Sequence, residues 1–415
     1  MPEDLPVGSR RRAPTLLRSL AIRNLRGYGS LDLDLGPGPQ LVWGPNAAGK
    51  TTLLEAIVLL ALGRSHRTTS DAELIRWGTD YLRLEGNVGE VTSGVDGVAV
   101  AGAAGAARVP GAVPGGPIRA EGVTLGVALQ SGGRKRIVVN GVPRRPAKLS
   151  EHLRVVLFAP EEMLLVAGPP ALRRTALDIL TAPHDPTYQS NQVTYSHALQ
   201  QRNSLLRAIR EGEADRSELR YWDEPLVASG AALVAARLSL LELLAQPLAE
   251  AHREIAPNEG RLTVTYTTNA PLLAGESARD ALARRLAETA EKEVWNGTTL
   301  IGPHRDDLTF SLEARDLTTF ASRGQQRTAI LALKLAELDL LSSLDGRAPL
   351  LLLDDVFSEL DPLRRGHLVR RIAELPQVFI TTTAPDDIDP ELRRQARAWH
   401  VVPGDDGARV EEGEG

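Results

Sequence analysis

Apolar and polar positions alternate between residues 17 and 43 and turn part-way, which is the two-residue period of a strand pair. The same period returns over 81–88, 123–130 and 136–142, with Asn140-Gly141 as a hairpin turn in the last. Residues 93–116, rich in Gly, Ala, Val and Pro, predict a flexible insert. Past residue 161 the spacing changes. Apolar positions recur at three and four residues over 170–180, 190–211 and 222–255, which predicts helices, the last two as an antiparallel hairpin with Gly230 breaking the register of the second. A strand over 262–267, a helix over 278–294, a hairpin-like segment near 308–312 and a helix over 363–375 follow. Residues 378–381 and 398–402 read as the last strands. Two short runs have no alternation at all. Residues 40–43 precede a predicted helix over 50–62, and Leu350 to Leu353, four consecutive leucines, predict a strand buried on both faces of a parallel sheet.

Chemistry stands at the end of each run. Gly44-Pro45-Asn46-Ala47-Ala48-Gly49-Lys50-Thr51-Thr52 fits G-x-x-x-x-G-K-[ST], a strand-to-helix loop whose backbone N–H groups cradle phosphates. Lys50 is expected to reach the outer phosphates and the Thr51 hydroxyl to ligate Mg2+, with the helix N-terminus facing the same anion. The chain has 43 Arg and 5 Lys, so a Lys where the loop needs a compact point charge is itself informative. Asp354 and Asp355 follow the leucines, where parallel sheets bind their ligands. Asp354 is expected to hold the metal and Asp355 to orient the attacking water. Ser322, Gly324 and Gln325 open a further helix; a hydroxyl, a bare backbone and a helix dipole can make an anion site, or Ser322 can simply cap the helix.

Motif order narrows the class. The segment Ala321-Ser322-Arg323-Gly324-Gln325 resembles the L-S-G-G-Q signature of ABC-type ATPases, and Ser358-Glu359-Leu360-Asp361 resembles their D-loop. With Ile22-Arg23-Asn24-Leu25-Arg26-Gly27-Tyr28, Gly63-Arg64-Ser65-His66-Arg67-Thr68, Phe158-Ala159-Pro160-Glu161-Glu162 and Gly302-Pro303-His304-Arg305-Asp306-Asp307, the chain from about Leu17 to Pro403 resembles the RecF family of bacterial recombination-repair ATPases. The resemblance implies an α/β, ABC-type P-loop ATPase head with mixed β-sheets, a helical second lobe and no long coiled coil. It also implies an ATP-dependent homodimer on DNA, duplex or at single-strand/duplex junctions. In it, Ser322 and the Gly324 backbone of one chain would reach the γ-phosphate of ATP held by the other, and RecO and RecR would help to load RecA. Residues 1–160 and 326–415 are then expected to form the first lobe, and 161–325 the second.

Two departures from the superfamily pattern bear on rate. Asp355 is one methylene shorter than the usual Glu, and Thr381-Thr382-Thr383-Ala384 stands where a switch His is common. Both point to slow hydrolysis, a weak DNA-stimulated ATPase. The alternative is a structural adaptor that binds ATP and DNA without useful hydrolysis.

Composition adds limits. The absence of Cys excludes disulfides and thiolate metal sites. No apolar run of membrane-spanning length is evident and residues 1–13 have no apolar core of a signal peptide, so a cytoplasmic protein is expected. A net charge of −5 leaves DNA binding to local patches. Arg134, Lys135, Arg136, Arg144 and Arg145 form one candidate, Arg64 and Arg67 a second, while Asp406, Glu411, Glu412 and Glu414 make the C-terminal end acidic. Each basic group is either a DNA contact or a solvated or salt-bridged face. His304 and Arg305 are open between a turn and a phosphate or inter-lobe contact.

Overall fold

A computed structural model of the chain describes residues 15–90, 122–404 and 407–413; the predicted insert, the N-terminal arm, Asp406 and Glu414 lie outside them. Two six-stranded sheets enclose helix α1 (Lys50–Leu62). The first sheet is antiparallel and runs β2 (Tyr28–Asp34), β1 (Thr15–Leu25), β4 (Tyr81–Glu90), β5 (Gly122–Gln130), β6 (Arg136–Val139), β7 (Val142–Pro143). Its alternation is legible over the second half of β2, where Leu31 and Leu33 face the core and Ser30, Asp32 and Asp34 face water. The segment 17–43 is therefore three strands rather than a pair. Its last part, β3 (Gly38–Trp43), leaves the hairpin for the second sheet.

That second sheet runs β15 (Arg409–Gly413), β14 (Arg397–Val402), β3, β13 (Gln377–Thr382), β12 (Leu350–Asp354), β8 (Val155–Phe158). All neighbours are parallel except β14 and β15. Leu350 to Leu353 are at most 1% exposed, as a strand covered on both faces requires. The strand β15 lies within the acidic end, where Glu412 accepts from Arg397 across the edge. Helix α1 is apolar all round because both sheets cover it: Leu54, Ile57, Leu59 and Leu60 are all fully buried.

The remainder is mainly helical. Helices α2 (Pro170–Thr181), α3 (Tyr188–Glu211), α4 (Arg220–Ile255) and α5 (Ala278–Asn296) pack beside a small sheet of β9 (Leu262–Thr267), β10 (Asp307–Leu312) and β11 (Arg315–Asp316). Helix α6 (Arg323–Ser343) returns the chain to the parallel sheet, where its Ile330 and Leu331 share one core with Leu351, Leu353 and Ile380. Helix α7 (Pro362–Ala373) follows β12, opened by Asp361, which accepts from the Arg364 N–H.

Gly230 does not break α4, which is continuous. A Cβ there would lie 3.0 Å from the Tyr195 ring, so the glycine admits α3 closely. The expectation that no apolar stretch reaches membrane-spanning length also needs correction, because α4 meets that measure by length and composition. It is a core helix: Leu226, Leu233, Leu240, Leu244 and Leu248 are buried within the protein, beside the buried Arg237.

Candidate nucleotide site

Strand β3 ends in a loop whose backbone is bent three times into the left-handed half of conformational space, at Gly44 (φ 152°), Ala47 (φ 63°) and Gly49 (φ 118°). Two glycines have steric reasons besides. A Cβ on Gly44 would meet the Val401 carbonyl oxygen at 2.2 Å, and one on Gly49 would press the Tyr28 hydroxyl at 3.1 Å. Tyr28 is fully buried and donates to the Gly49 carbonyl at 3.1 Å, tying the first sheet to the loop. Pro45, Asn46 and Ala47 are exposed, whereas Ala48, Lys50 and Thr52 are buried and Thr51 half-buried.

Lys50 begins α1, and its Nζ donates to the Gly44 and Pro45 carbonyls at 2.7 and 2.9 Å. The ammonium thus rests on the loop it is expected to serve. Desolvation lowers its pKa, against the opposing pull of Asp355 and Asp354, so both carboxylates stand close enough to act on it.

Parallel register sets the carboxylates. Asp354 lies opposite Thr381 of β13, and the Thr381 hydroxyl donates to Asp354 Oδ1 at 2.6 Å while accepting the Asp355 N–H at 2.9 Å. A hydroxyl has one proton, and an N–H can only donate, so the direction of both bonds is fixed. Asp354 Oδ1 is thereby engaged, and among the described residues no hydrogen bond reaches Oδ2. Asp355 takes the left-handed backbone (φ 52°), a conformation that costs a side-chain-bearing residue roughly 1 kcal/mol. Its buried Oδ1 has no hydrogen-bond partner. Arg327, on the second turn of α6, lines the same small cavity as both aspartates.

Helix α1 and the loop after it bring together residues that the sequence placed in motifs without assigning them a role. Glu55 is fully buried and accepts two bonds from Arg26 (2.6 and 2.9 Å) and one from Ser65 (2.5 Å). His66 beside it has no partner at either ring nitrogen. Burial lowers its pKa against the fields of Glu55, Glu161 and Asp354, which places it beside the carboxylates.

Other predicted residues lie apart from this centre. Ser322 caps α6 through reciprocal bonds, its Oγ accepting from the Gln325 N–H at 3.2 Å and its own N–H donating to Gln325 Oε1 at 3.0 Å. Gly324 is exposed, and a Cβ there would meet only the Ser322 Oγ, at 3.8 Å. Among the described residues no hydrogen bond joins Ser322, Gly324 or Gln325 to the phosphate loop of the same chain. Arg64 is exposed, and Arg67 lies 3.7 Å from Glu55. Arg134, Arg136, Arg144 and Arg145 are exposed around β6 and β7, while Lys135 pairs with Asp71 at 2.6 Å.

The motif at 302–307 is a buried junction. His304 Nδ1 accepts from the Tyr195 hydroxyl at 2.6 Å, and its Nε2 faces the Thr299 carbonyl at 3.2 Å. Burial pushes its pKa down to about 4, so the ring is neutral at pH 7. Asp307 holds Arg173 through two bonds, and the Pro303 carbonyl accepts from Arg237. Glu162 has a comparable role. Burial disfavours the ammonium of Lys334 on α6, but the carboxylates of Glu162 and Glu337 outweigh it and hold its pKa above the ordinary value.

Residues 16–390 match the family model described as the RecF/RecN/SMC N-terminal domain. The DNA replication and repair protein RecF of Chloroflexus aggregans is 40% identical over 404 residues, covering 94% of this chain and 98% of that one. RecF of Geobacillus kaustophilus is 36% identical, with the same coverage of both. A solved structure of the recombination mediator protein RecF-ATP in the RecFOR pathway aligns with a TM-score of 0.83 at 28% identity, covering 98% of this chain and 99% of that one. An Smc head domain from Pyrococcus furiosus aligns with a TM-score of 0.51 at 14% identity, over 96% of each chain, a likeness of fold.

Proposed function

This chain belongs to the RecF family, and from that premise we propose that it is an ATP-dependent DNA-binding protein of recombinational repair whose nucleotide site is completed between two copies of the chain. The observation that carries the reading is the pair of groups left incomplete at the ends of β3 and β12. Lys50 rests on its own loop carbonyls and Asp355 has a buried oxygen with no partner, two groups that support a site for a ligand able to engage an ammonium and a carboxylate together. Gly44 to Thr52 are assigned to the triphosphate, and Thr51 with Asp354 Oδ2 to Mg2+, which when bound neutralises charge on the outer phosphates. The donor set, a hydroxyl and a carboxylate with one free oxygen, suits a hard cation. Asp355 orients and deprotonates the attacking water.

Ser322, Gly324 and Gln325 face outward from α6, an arrangement that supports contact with nucleotide held by a second chain. ATP then joins two protomers, and hydrolysis releases them. Slow turnover suits a clock that sets residence on DNA, where the protein, with RecO and RecR, helps to load RecA at single-strand gaps in the cytoplasm. DNA is held through phosphates, without sequence reading. The lobe division, 1–160 with 326–415 against 161–325, belongs to the same proposal.

The test uses light scattering with ATP and steady-state ATPase with and without duplex DNA. Ser322→Arg should bind ATP yet neither dimerise nor turn over, and Lys50→Met should not bind ATP. Mixing the two should restore at most one composite site. An ATP-dependent dimer with wild-type turnover from Ser322→Arg alone would place the switch within one chain. Dimerisation and DNA binding without measurable hydrolysis would favour the adaptor.

A further inference from the structure

Three of the chain's five tryptophans are packed: Trp43 stacks on His400, Trp399 donates to Gln40 and Trp222 meets the His197 ring. The other two stand in solvent, Trp77 at 98% exposure and Trp295 at 81%. Their settings differ. Trp295 ends α5 behind Glu291 and Glu293, with Lys292 between them. Trp77 sits on a turn held from several sides at the end of the antiparallel sheet that carries the unpaired guanidiniums.

That turn is fixed. The Thr79 N–H donates to the Arg76 carbonyl, Gly78 takes φ 83°, the Arg76 N–H donates to Asn24, and Ile75 bridges to Leu25. An indole on a fixed turn loses little freedom when a ligand stacks on it. The β5–β6 turn is drawn alongside: the Ser131 N–H donates to the Asp80 carbonyl and Lys135 pairs with Asp71. Arg134 and Arg136 flank that lysine, exposed and without an ion pair among the described residues. Tyr81, half exposed, is paired in register with Gln130 at the base of the same turn. Of the acids nearby, Asp71 is spent on Lys135 and Glu73 on the Thr68 hydroxyl, while the exposed Asp80 carboxylate has no ion pair among the described residues.

We propose that Trp77, with Arg134 and Arg136, forms a stacking site for an unpaired nucleotide of single-stranded DNA. The inference rests on the DNA-binding reading above and deepens it. An aromatic face and free guanidiniums on two adjoining turns match a nucleotide, whose base offers a π-face and whose phosphates offer charge. In a duplex the base faces are already stacked on one another. An exposed indole therefore gains only where a strand is unpaired, so this corner distinguishes a junction from continuous duplex.

The experiment measures binding of labelled DNA to the full chain with ATP by fluorescence anisotropy, comparing a blunt duplex with the same duplex bearing an oligo-dT overhang. Trp77→Ala should weaken overhang binding by roughly tenfold, the loss of one stacked base, and leave the blunt duplex and the salt dependence unchanged. Trp77→Phe should retain most of the affinity, and Trp295→Ala should have no effect. Arg134→Ala with Arg136→Ala should weaken both DNAs and lower the salt slope. Equal loss on both DNAs for Trp77→Ala, or no loss on the overhang, overturns the stacking site. If the arginine pair still behaves as expected, DNA binding by this surface stands without it. If the wild-type chain binds neither DNA, the DNA-binding reading itself fails.

Discussion

Charged groups are buried in two regions of this molecule, and they are treated differently. In the helical lobe, Arg237 donates to Tyr188, Pro303, Tyr266 and Asp178, and Asp178 accepts in turn from Tyr188 and Gln192. Arg202 is equally engaged with Asp223, Glu293 and Thr299. At the end of the parallel sheet, Lys50 has only carbonyls of its own loop, Asp355 keeps a partnerless oxygen and His66 has two partnerless nitrogens. Burying polar atoms without partners costs about 1–3 kcal/mol each. A fold tolerates that cost where a ligand removes it. Saturation marks Arg202 and Arg237 as structural, and although isolated unpartnered atoms such as His184 Nε2, His252 Nδ1 and Asp306 Oδ1 occur in the helical lobe, at the nucleotide end they gather at the carboxyl edge of the parallel sheet.

The strongest test changes the incomplete end. Asp355→Asn should keep ATP binding and lose about 10²–10⁴-fold in turnover, because the amide preserves shape but is a poor base. Thr381→Val, which removes the bridging hydroxyl without changing shape, should lower kcat with little change in KM, and Thr381→Ser should restore it. Single-turnover and steady-state assays separate these outcomes. Turnover surviving in Asp355→Asn would move the base elsewhere.

The saturated region should answer in stability instead. Arg237→Met leaves the half-buried Asp178 without its cation and Tyr188 and Tyr266 without their donor, and should cost about 3 kcal/mol in denaturant unfolding. The molecules that remain folded should bind ATP normally. A variant of unchanged stability with impaired nucleotide affinity would reverse the distinction drawn between the two regions.

Much of the nucleotide end was legible because its motifs are local. Lys50 lies six residues from Gly44, and Asp354 follows a leucine run that admits only a buried strand. Thr381 was not legible as a clamp because its role depends on which strand lies beside β12, a matter of sheet order. The strand β8, Val155 to Phe158, is an apolar quartet of the same kind as the leucine run and was readable on the same ground, whereas β15 escaped because its glutamates look like a solvated tail. Arg202 and Arg237 read as polar positions on a helix face. Only the folded lobe reveals that this face is turned inward, and the same blindness made Gly230 look like a break.

pH gives a graded version of the contrast. His304 is held neutral by burial, with Arg305, Arg174 and Arg202 also opposing its proton and the Thr299 carbonyl favouring it. Its folded pKa of about 4 lies below the ordinary value of 6.5, so between those limits the unfolded chain binds more proton than the folded one. Stability contributed by the neutral ring is present above about pH 6.5 and is lost as pH falls toward 4, by up to roughly 3 kcal/mol. Chemical denaturation at pH 7.0 and 5.0 should reveal the slope, and His304→Gln should flatten it. An equal slope in the variant would assign the pH dependence to other groups.

The smallest effect concerns the closest helix contact. Gly230→Ala improves helix propensity by about 1 kcal/mol, which alone predicts a stabilised protein. The new methyl would stand 3.0 Å from Tyr195 Cε2, so the sign depends on whether that ring can retreat. Two features prevent it. The Tyr195 hydroxyl is bonded to His304 at 2.6 Å, and it lies where a Cβ on Gly302 would come within 2.4 Å, so the ring is bounded at its far edge by backbone. Displacing it would strain the hydrogen bond and the 302–304 turn together. Overpacking of this kind costs about 1–3 kcal/mol and outweighs the propensity gain. Gly230→Ala should therefore be destabilised by about 1 kcal/mol in urea, with ATP binding unchanged. A stabilised variant would mean that α3 and α4 can separate at this crossing, and that the saturated junction around His304 is softer than its hydrogen bonds imply.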